Sequence, residues 1–195
     1  SGGFIDFSCD GGCGDLDNGG DLALAHSSDG GLFGGLTPTR LFLNDGQGFF
    51  EEFNPSGFQL TGQNIANGDP GLWCEGLQAS NTTVSNGTQC DVAAMPLDVD
   101  VGDHDGDFDL DLLLGDRNTF VRLFANRSSE TGVLAFRDVT GAVFPPGYNH
   151  GGAHYEPAWG DMDRDGDLDI YGVDWRSGAT PHAPQLEKHG GAGEG

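Results

Sequence analysis

The chain has 195 residues, a formal net charge of −23 and a single lysine, Lys188. So strong a negative charge disfavours nucleic acid and anionic membranes as partners, because both are polyanions. Hydrophobic residues make up 36% of the chain, glycines number 35, and few segments free of Gly and Pro could form a helix of several turns. The composition therefore indicates an all-β protein with many turns, and no apolar run long enough for membrane insertion is present.

The first part of the chain alternates short apolar segments with Gly-rich ones. Residues 3–8 (GFIDFS) are predicted to form a strand, and a tight turn is predicted between Cys9 and Cys13. After the acidic residues 15–23, here called loop 1, further strands are predicted at 22–25, 40–44 (RLFLN) and 49–53 (FFEEF). Residues 54–96 are rich in Gly, Asn, Ser and Thr and are predicted to be a long surface insertion.

The same order of elements returns after the insertion. Residues 103–111 (loop 2) lead into strands predicted at 110–114, 122–126 (RLFAN) and 135–140 (AFRDVT). Residues 161–169 (loop 3) lead into a strand predicted at 168–173. The box R-L-F-x-N occurs twice, and F-x-[D/E]-[V/F] occurs three times, at 4–7, 50–53 and 136–139.

Markers that recur in one order indicate internal repeats. One repeat domain over 1–175 is predicted, with repeats at about 9–53, 97–140 and 157–175. Residues 176–195, rich in Gly and Pro, are predicted to be an extended tail outside the core.

The three loops carry alternating aspartates, and loop 3 has five of them. A strand with five like charges on one face would repel itself, whereas a loop that turns them inward around a cation would be stable. Loop positions one, three, five and nine are therefore predicted to bind Ca²⁺ through carboxylates, and position seven through its backbone carbonyl. In loop 3 these residues are Asp161, Asp163, Asp165, Asp169 and Asp167, and in loop 2 they are Asp103, Asp105, Asp107, Asp111 and Asp109.

Loop 1 is a degenerate copy of this pattern. It keeps Asp15, Asp17 and Asp21, but Gly19 and Ala23 replace two ligands, so a third calcium site is not expected there. At position six, Gly166 of loop 3 permits a sharp turn, whereas loop 2 has Phe108. A positive φ at Phe108 would cost on the order of 1–2 kcal/mol.

The acidic loops have two alternative interpretations. An EF-hand requires a bidentate Glu at position twelve and flanking helices, whereas Leu114 and Gly172 stand at that position and the loops lead into apolar strands. The second reading is an acidic surface turn without metal.

Cysteines and glycosylation motifs indicate the compartment. The four cysteines form two close pairs, Cys9 with Cys13 and Cys74 with Cys90, and are predicted to form disulfides. Three pairings are possible, of which the nearest-neighbour one is the simplest. A zinc site is the alternative, but the spacings match no zinc-finger pattern.

N-glycosylation motifs begin at Asn81, Asn86 and Asn126. With calcium, these features predict an extracellular protein, secreted or at the cell surface. The sequence contains no signal peptide and no starting Met, so we expect a mature product or a fragment.

The loop, the apolar strand after it, R-L-F-x-N and F-x-D-V-T together resemble the FG-GAP/VCBS repeat family, which also occurs in integrin α-subunit heads. The resemblance covers about 1–53 and 97–175; Gly19, Ala23 and Phe108 depart from the pattern, and the insertion has no counterpart. It implies four-stranded β-propeller blades with a calcium loop between the first two strands. It also implies a role in adhesion, in carbohydrate or protein binding, or in structure.

About two and a half blades are present, whereas propellers close with roughly four to eight. We therefore expect a calcium-binding structural or adhesive protein and no enzyme activity. The alternatives are a lectin-like module with a glycan or extracellular protein as ligand, and an accessory domain of an extracellular hydrolase. Self-association is a further expectation: residues 3–8 of one copy would complete the third repeat of the next, giving a ring or a filament.

Overall fold

The computed structural model of the chain describes residues 8–28, 40–53, 74–75, 96–116, 121–139, 143–144, 154–174 and 185–187. These residues form twelve strands and one short helix. The strands are β1 (Ser8–Gly14), β2 (Ala23–Ser28), β3 (Arg40–Asn44), β4 (Phe50–Glu52), β5 (Cys74–Glu75), β6 (Pro96–Gly102), β7 (Asp111–Asp116), β8 (Arg122–Asn126), β9 (Phe136–Asp138), β10 (His154–Gly160), β11 (Asp169–Asp174) and β12 (Gln185–Glu187), and helix α1 is Ser128–Thr131. The strands predicted at 40–44 and 122–126 are confirmed, as β3 and β8.

One antiparallel hairpin occurs three times, as β1–β2, β6–β7 and β10–β11. Its first strand has seven residues and ends in a glycine directly before the loop, and its second strand has six. A register shift falls at the same place in each first strand, between its first and third residues. The repeats are therefore alike in backbone as well as in sequence.

The turn predicted between Cys9 and Cys13 is wrong, because these residues lie in strand β1. The glycines that suggested a turn let β1 approach β6. A Cβ on Gly12 would lie 3.0 Å from the carbonyl oxygen of Val99, and a Cβ on Gly14 would lie 2.5 Å from a methyl carbon of Leu110. Glycine is needed here for close packing of two strands.

The strands form three sheets, in the orders β1-β2-β3-β4, β6-β7-β8-β9-β5 and β10-β11-β12. All pairs are antiparallel except β5–β9, in which Cys74 and Glu75 of the insertion add a parallel strand beyond β9. The protein is thus all-β, as predicted.

Strand β12 corrects the predicted tail. Ile170 pairs with Glu187 in the third sheet, as Leu24 pairs with Phe42 and Leu112 with Phe124 in the other two. The segment Gln185–Glu187 therefore takes the place of R-L-F, although its flanking residues are polar. Part of 176–195 belongs to the third sheet, which has three strands among the described residues.

The core lies in two layers on either side of the second sheet. Leu112 and Leu114 of β7 belong to the cluster shared with the first sheet, and Leu113 belongs to the cluster shared with the third. A strand covered on both faces carries a continuous apolar run rather than an alternating one, which accounts for the three consecutive leucines.

The first strands of the three hairpins stand next to one another, with β6 in contact with both β1 and β10. Sheets that radiate from adjacent inner strands are the arrangement of neighbouring propeller blades. The fold is therefore all-β and propeller-like. No helix among the described residues is long and apolar enough to cross a membrane.

Candidate metal centre

All three loops share one backbone conformation. Each has positive φ angles at positions four and six. The residues are Asn18 and Gly20 in loop 1, Gly106 and Phe108 in loop 2, and Arg164 and Gly166 in loop 3. Phe108 has a φ of 72°, a region that bulky side chains rarely adopt. Loop 1 keeps this shape although it has lost two ligands.

The aspartate at position one folds the turn. Its carboxylate accepts the position-six N–H in every loop, from Gly20 to Asp15 (2.9 Å), from Phe108 to Asp103 (3.0 Å) and from Gly166 to Asp161 (3.3 Å). In loops 2 and 3 it also accepts the position-four N–H. Part of the acidic pattern thus supports the turn itself, as short polar side chains commonly do.

Loop 3 brings three predicted ligands together. Carboxylate oxygens of Asp161, Asp163 and Asp169 lie within 4.8 Å of one another. Asp169 is 1% exposed, and its Oδ2 accepts the Met162 N–H at 2.8 Å. Its Oδ1 is buried and has no hydrogen-bond partner among the described residues. A buried carboxylate oxygen without a donor is costly, and a hard cation is the ligand such an oxygen set suits. The residues present therefore fit a Ca²⁺ ion.

The other two aspartates of loop 3 lie outside this group. Asp165 Oδ1 accepts the N–H of Asp167 at 3.0 Å, and the side chain of Asp165 is exposed. Three of the five predicted residues thus converge as carboxylates.

Loop 2 assembles its carboxylates differently. Oxygens of Asp103, Asp105 and Asp107 lie within 4.8 Å of one another, and a second group of the same size joins Asp105 to Asp111 and His104. The buried Asp111 carboxylate already accepts three hydrogen bonds, from the N–H of Asn126 (2.7 Å), from the N–H of His104 (2.8 Å) and from His104 Nδ1 (2.6 Å). Its capacity for a cation is lower than that of Asp169.

The electrostatics of loop 2 reflect crowded acids. Burial alone would lower the pKa of His104, but the hydrogen bond to Asp111 and the charges of Asp111, Asp105 and Asp103 raise it above 6.5. Burial, together with the charges of neighbouring carboxylates, raises the pKa of Asp107 despite an N–H bond from Asp109. Neighbouring carboxylates contribute to both pKa shifts, and a divalent cation would offset their negative charge.

The side chain of Asp109 contacts two other segments, and one of its oxygens also lies within 4.8 Å of carboxylate oxygens of Asp107 and Glu130. It is fully buried and accepts hydrogen bonds from the N–H and hydroxyl of Ser129 (2.6 and 2.8 Å) and from Asn18 Nδ2 (2.6 Å). Burial would raise the pKa of Asp109, but these donors outweigh it and lower the pKa. Asp109 thus joins helix α1 to loop 1.

Loop 1 has a structural role, because it connects strands of the first sheet and contacts the second sheet. No metal-sized group of acids forms among its described residues. Asp15 Oδ1 is buried without a described partner, but positions five and nine supply no carboxylate to complete a site around it. Leu16 is fully buried in the first core cluster. The loop shape is therefore kept by the hydrogen bond from Gly20 to Asp15, by packing and by the Asn18–Asp109 bond rather than by a bound metal ion.

Comparison with known families bears on this geometry. Residues 103–172 match the sequence model of the FG-GAP-like repeat. This segment, about a third of the chain, is similar to FG-GAP repeats. The matched stretch begins at the first aspartate of loop 2 and ends in β11, so it contains both loops that gather acids. Curated proteins gave no significant match.

Asn126 is not a glycan acceptor in this FG-GAP repeat, and that prediction is wrong. Its side chain is 1% exposed, and Nδ2 donates to the carbonyls of Leu16 (2.7 Å) and Leu110 (3.1 Å). Oδ1 accepts the N–H and hydroxyl of Ser128. The nitrogen that would carry the sugar is buried and bonded. Asn81 and Asn86 lie outside the described residues.

The nearest-neighbour disulfide Cys9–Cys13 is also wrong. The two residues lie four positions apart on β1, about 13 Å by strand geometry, whereas a disulfide joins Cα atoms no more than about 7 Å apart. Cys13 is exposed and forms no disulfide with another described residue. Cys90 lies outside the described residues, so disulfides that involve it stay predictions.

Sequence reasoning missed three residues that contact the metal loops, namely Asn18, His104 and Ser129, and it assigned Asn126 a different role. The sequence contains one indication that Asn126 has a structural role. The final Asn of R-L-F-x-N is present in both repeats, as Asn44 and Asn126, but only Asn126 begins a glycosylation motif. A residue common to both copies indicates a role in the fold.

Proposed function

We propose that this FG-GAP repeat protein is an extracellular, calcium-binding module with a structural or adhesive role. Loop 3 holds the tighter Ca²⁺ ion, through Asp161, Asp163 and Asp169, and loop 2 a weaker one. The observation that carries the proposal is the buried Asp169 Oδ1, which lacks a described donor within a group of three converging carboxylates.

When bound, the ion would neutralise the carboxylates between the first two strands of a blade. The chain itself supplies a turn already folded by Asp161, so little reorganisation is needed. At a calcium concentration 100 times Kd, binding adds about 2.7 kcal/mol to the free energy of unfolding. In a domain of this size that raises Tm by about 5–10 °C.

The test compares the same substitution in a ligand loop and in the degenerate loop. Asp163→Asn removes a charge at position three of loop 3 but keeps an oxygen acceptor, and Asp17→Asn makes the same change in loop 1. We expect Asp163→Asn to weaken calcium binding at least about tenfold in calorimetric titration and to reduce the Tm rise on calcium addition. Asp17→Asn should leave both unchanged. Equal behaviour of the two variants, or no calcium response in the wild type, contradicts the proposal.

The extracellular location rests on the calcium loops and on the FG-GAP family. Glycans at Asn81 and Asn86 and a disulfide that involves Cys90 belong to the same proposal. Mass spectrometry of the protein from its native source tests both, and an unmodified chain with four reduced cysteines would contradict them.

A lectin-like or protein-binding module is the second candidate function, and an accessory domain of a hydrolase is the third. A sugar-stacking surface would need an exposed tryptophan. Trp159 is only half-buried, but its ring lies over Gly102, where a Cβ would be 2.9 Å from Trp159 Cδ1, and its centroid is 6.5 Å from that of His104. It joins two blades, so it does not favour glycan binding. Trp73 and Trp175 lie outside the described residues.

Self-association by strand addition has one observation in its favour. In the first two sheets a strand of the F-x-[D/E] type, β4 or β9, follows the R-L-F strand. Beyond β12 the described residues supply no such strand. Residues 4–7 (FIDF) carry that motif, so a second copy could pair them with β12.

A further inference from the structure

Phe108 combines two unfavourable features at one position. It adopts φ 72°, whereas Gly20 and Gly166 occupy the same position of the other two loops. Its side chain is 87% exposed. So little of the ring is covered that packing does not compensate for the strained backbone or for the exposed apolar surface. A strained backbone conformation without compensating packing indicates a functional position.

The exposed apolar residues of the described chain cluster at one end of the fold. In an antiparallel meander, the connection between the first two strands and that between the third and fourth lie at the same end of the sheet. Contacts bear this out, since Asp109 reaches Ser129 of α1 and a Cβ on Gly46 would touch Asp21. Every large apolar side chain found exposed among the described residues lies in these connections or beside them, at Leu22, Phe49, Phe50, Phe108, Val133 and Met162.

Carboxylates surround these side chains. The described loops and turns at this end carry fifteen aspartates and glutamates but only two arginines, Arg127 and Arg164. Arg127 is already paired with Glu130 at 2.9 Å. Two Ca²⁺ ions would cancel four negative charges, which leaves the end strongly negative. An exposed aromatic with a negative surround suits a partner that presents apolar and basic side chains together.

We propose that the loop end of the blades, defined by Phe108, Phe49 and Met162 and their neighbouring carboxylates, is a docking surface for a basic, amphipathic segment of a partner protein, with Phe108 as the anchor. This deepens the adhesive role proposed above and rests on it. A second copy of the chain is the less suitable occupant, because two such ends would repel each other.

The probe is an 18-residue peptide of Lys and Leu in amphipathic order, with a Lys/Ser peptide of equal charge as its control. Affinities are measured by fluorescence anisotropy at physiological salt, with calcium and with a chelator. We expect the wild type to bind the Lys/Leu peptide at least about tenfold more tightly than the Lys/Ser peptide. If the two peptides bind equally, the surface provides only charge and the proposal is wrong.

The decisive variant is Phe108→Gly. It removes the anchor, keeps every charge and relieves the strain, so Tm should stay the same or rise while the preference for the Lys/Leu peptide falls at least about fivefold. Phe49→Ser, a substitution in the first blade, should also weaken the preference for the Lys/Leu peptide. Arg137→Gln, at an exposed position within strand β9 rather than in a loop, is the control and should change neither.

Three outcomes overturn the docking surface. Phe108→Gly could bind the Lys/Leu peptide as the wild type does. It could lower Tm, which would give Phe108 a role in folding. It could abolish self-association without affecting peptide binding, which would make a second copy the occupant. Calcium titration of Phe108→Gly distinguishes the docking surface from the calcium sites. If the variant loses its preference for the Lys/Leu peptide but binds calcium as the wild type does, the result bears on the docking surface alone.

Discussion

Asp10 of β1 and Asp98 of β6 lie beside each other where the first two sheets meet. Each is the third residue of its strand, and Glu156 is the third residue of β10. Burial, a hydrogen bond to Asp10 and the charges of Asp10, Asp100 and Glu156 raise the pKa of Asp98 to about 8. At neutral pH a proton is thus held between two blades.

The pH dependence of stability follows from this shift. The pKa of Asp98 in the unfolded chain is about 3.9, so the folded state binds more protons between pH 4 and pH 8. The stabilisation by that proton is complete below the unfolded pKa and is lost as the pH rises through the folded pKa. We expect Asp98→Asn, which stays neutral, to exceed the wild type in free energy of unfolding at pH 8 by about 1–2 kcal/mol, after allowance for solvent screening.

Chemical denaturation at pH 5 and pH 8 in saturating calcium measures this difference. At pH 5 the two proteins should differ little. Glu51→Gln, on an exposed residue of β4, makes the same charge change away from Asp98 and should show no such pH-dependent gain. A constant difference between Asp98→Asn and wild type at both pH values would show that no proton is shared.

At the residue scale, the sequence predicted which aspartates line the loops but not where each side chain points. Alternation and spacing are local, and they selected Asp161, Asp163 and Asp169, whose carboxylate oxygens lie within 4.8 Å of one another. Asp109 is buried and points to helix α1 and loop 1, because Ser129 and Asn18 donate hydrogen bonds to it from those segments. Asn126 is buried because loop 1 approaches it. Such directions depend on contacts between distant parts of the chain.

At the element scale, the strand–loop–strand hairpin is the repeating unit, and the glycine before its loop is placed differently in each copy. A Cβ on Gly102 would lie 2.9 Å from two atoms of the Trp159 ring. A Cβ on Gly160, at the same position of the third hairpin, would lie 3.7 Å from a methyl carbon of Met162. The first distance is a clash with a bulky ring, and the second is ordinary van der Waals contact.

Gly102→Ala should therefore lower the free energy of unfolding by about 1–3 kcal/mol, because the Trp159 ring must shift against β6. Gly160→Ala is the matched control and should cost less than about 0.5 kcal/mol. Urea denaturation of both variants in calcium measures the difference. In the double variant Gly102→Ala, Trp159→Leu the cost of Gly102→Ala should shrink. Equal costs in the two hairpins would place the ring elsewhere.

The sequence predicted the middle strands of the sheets and missed the inner ones. R-L-F-x-N identified β3 and β8 to the residue, since an apolar run between turns is a clear strand signal. Strands β1, β6 and β10 carry Gly, Pro and acids, because inner strands approach one another closely and need small side chains. Pro157 is tolerated in β10 because that strand is at the edge of its sheet. Strand β12 was missed because only its central Leu186 matches the R-L-F box.

At the scale of the whole molecule, the described residues supply five strands to the second sheet and three to the third. All five residues of β8 are buried, whereas β3 has one buried residue and four intermediate ones, because the second sheet is covered on both faces. The third sheet ends at β12 among the described residues. An open strand edge tends to pair with another strand.

We expect the full chain to associate in a concentration-dependent manner in calcium, through residues 3–8 of one copy and β12 of the next. Ile5→Pro removes a backbone N–H donor from that added strand and should leave the protein monomeric, whereas Ile5→Val keeps the donor and should associate as the wild type does. Light scattering after size exclusion, over a hundredfold range of concentration, gives the mass of each species. Such a contact is heterologous, so the assembly grows into a ring or a filament, and electron microscopy distinguishes the two.

A wild-type chain that remains monomeric at the highest concentration contradicts strand addition, and so does an Ile5→Pro variant that associates unchanged.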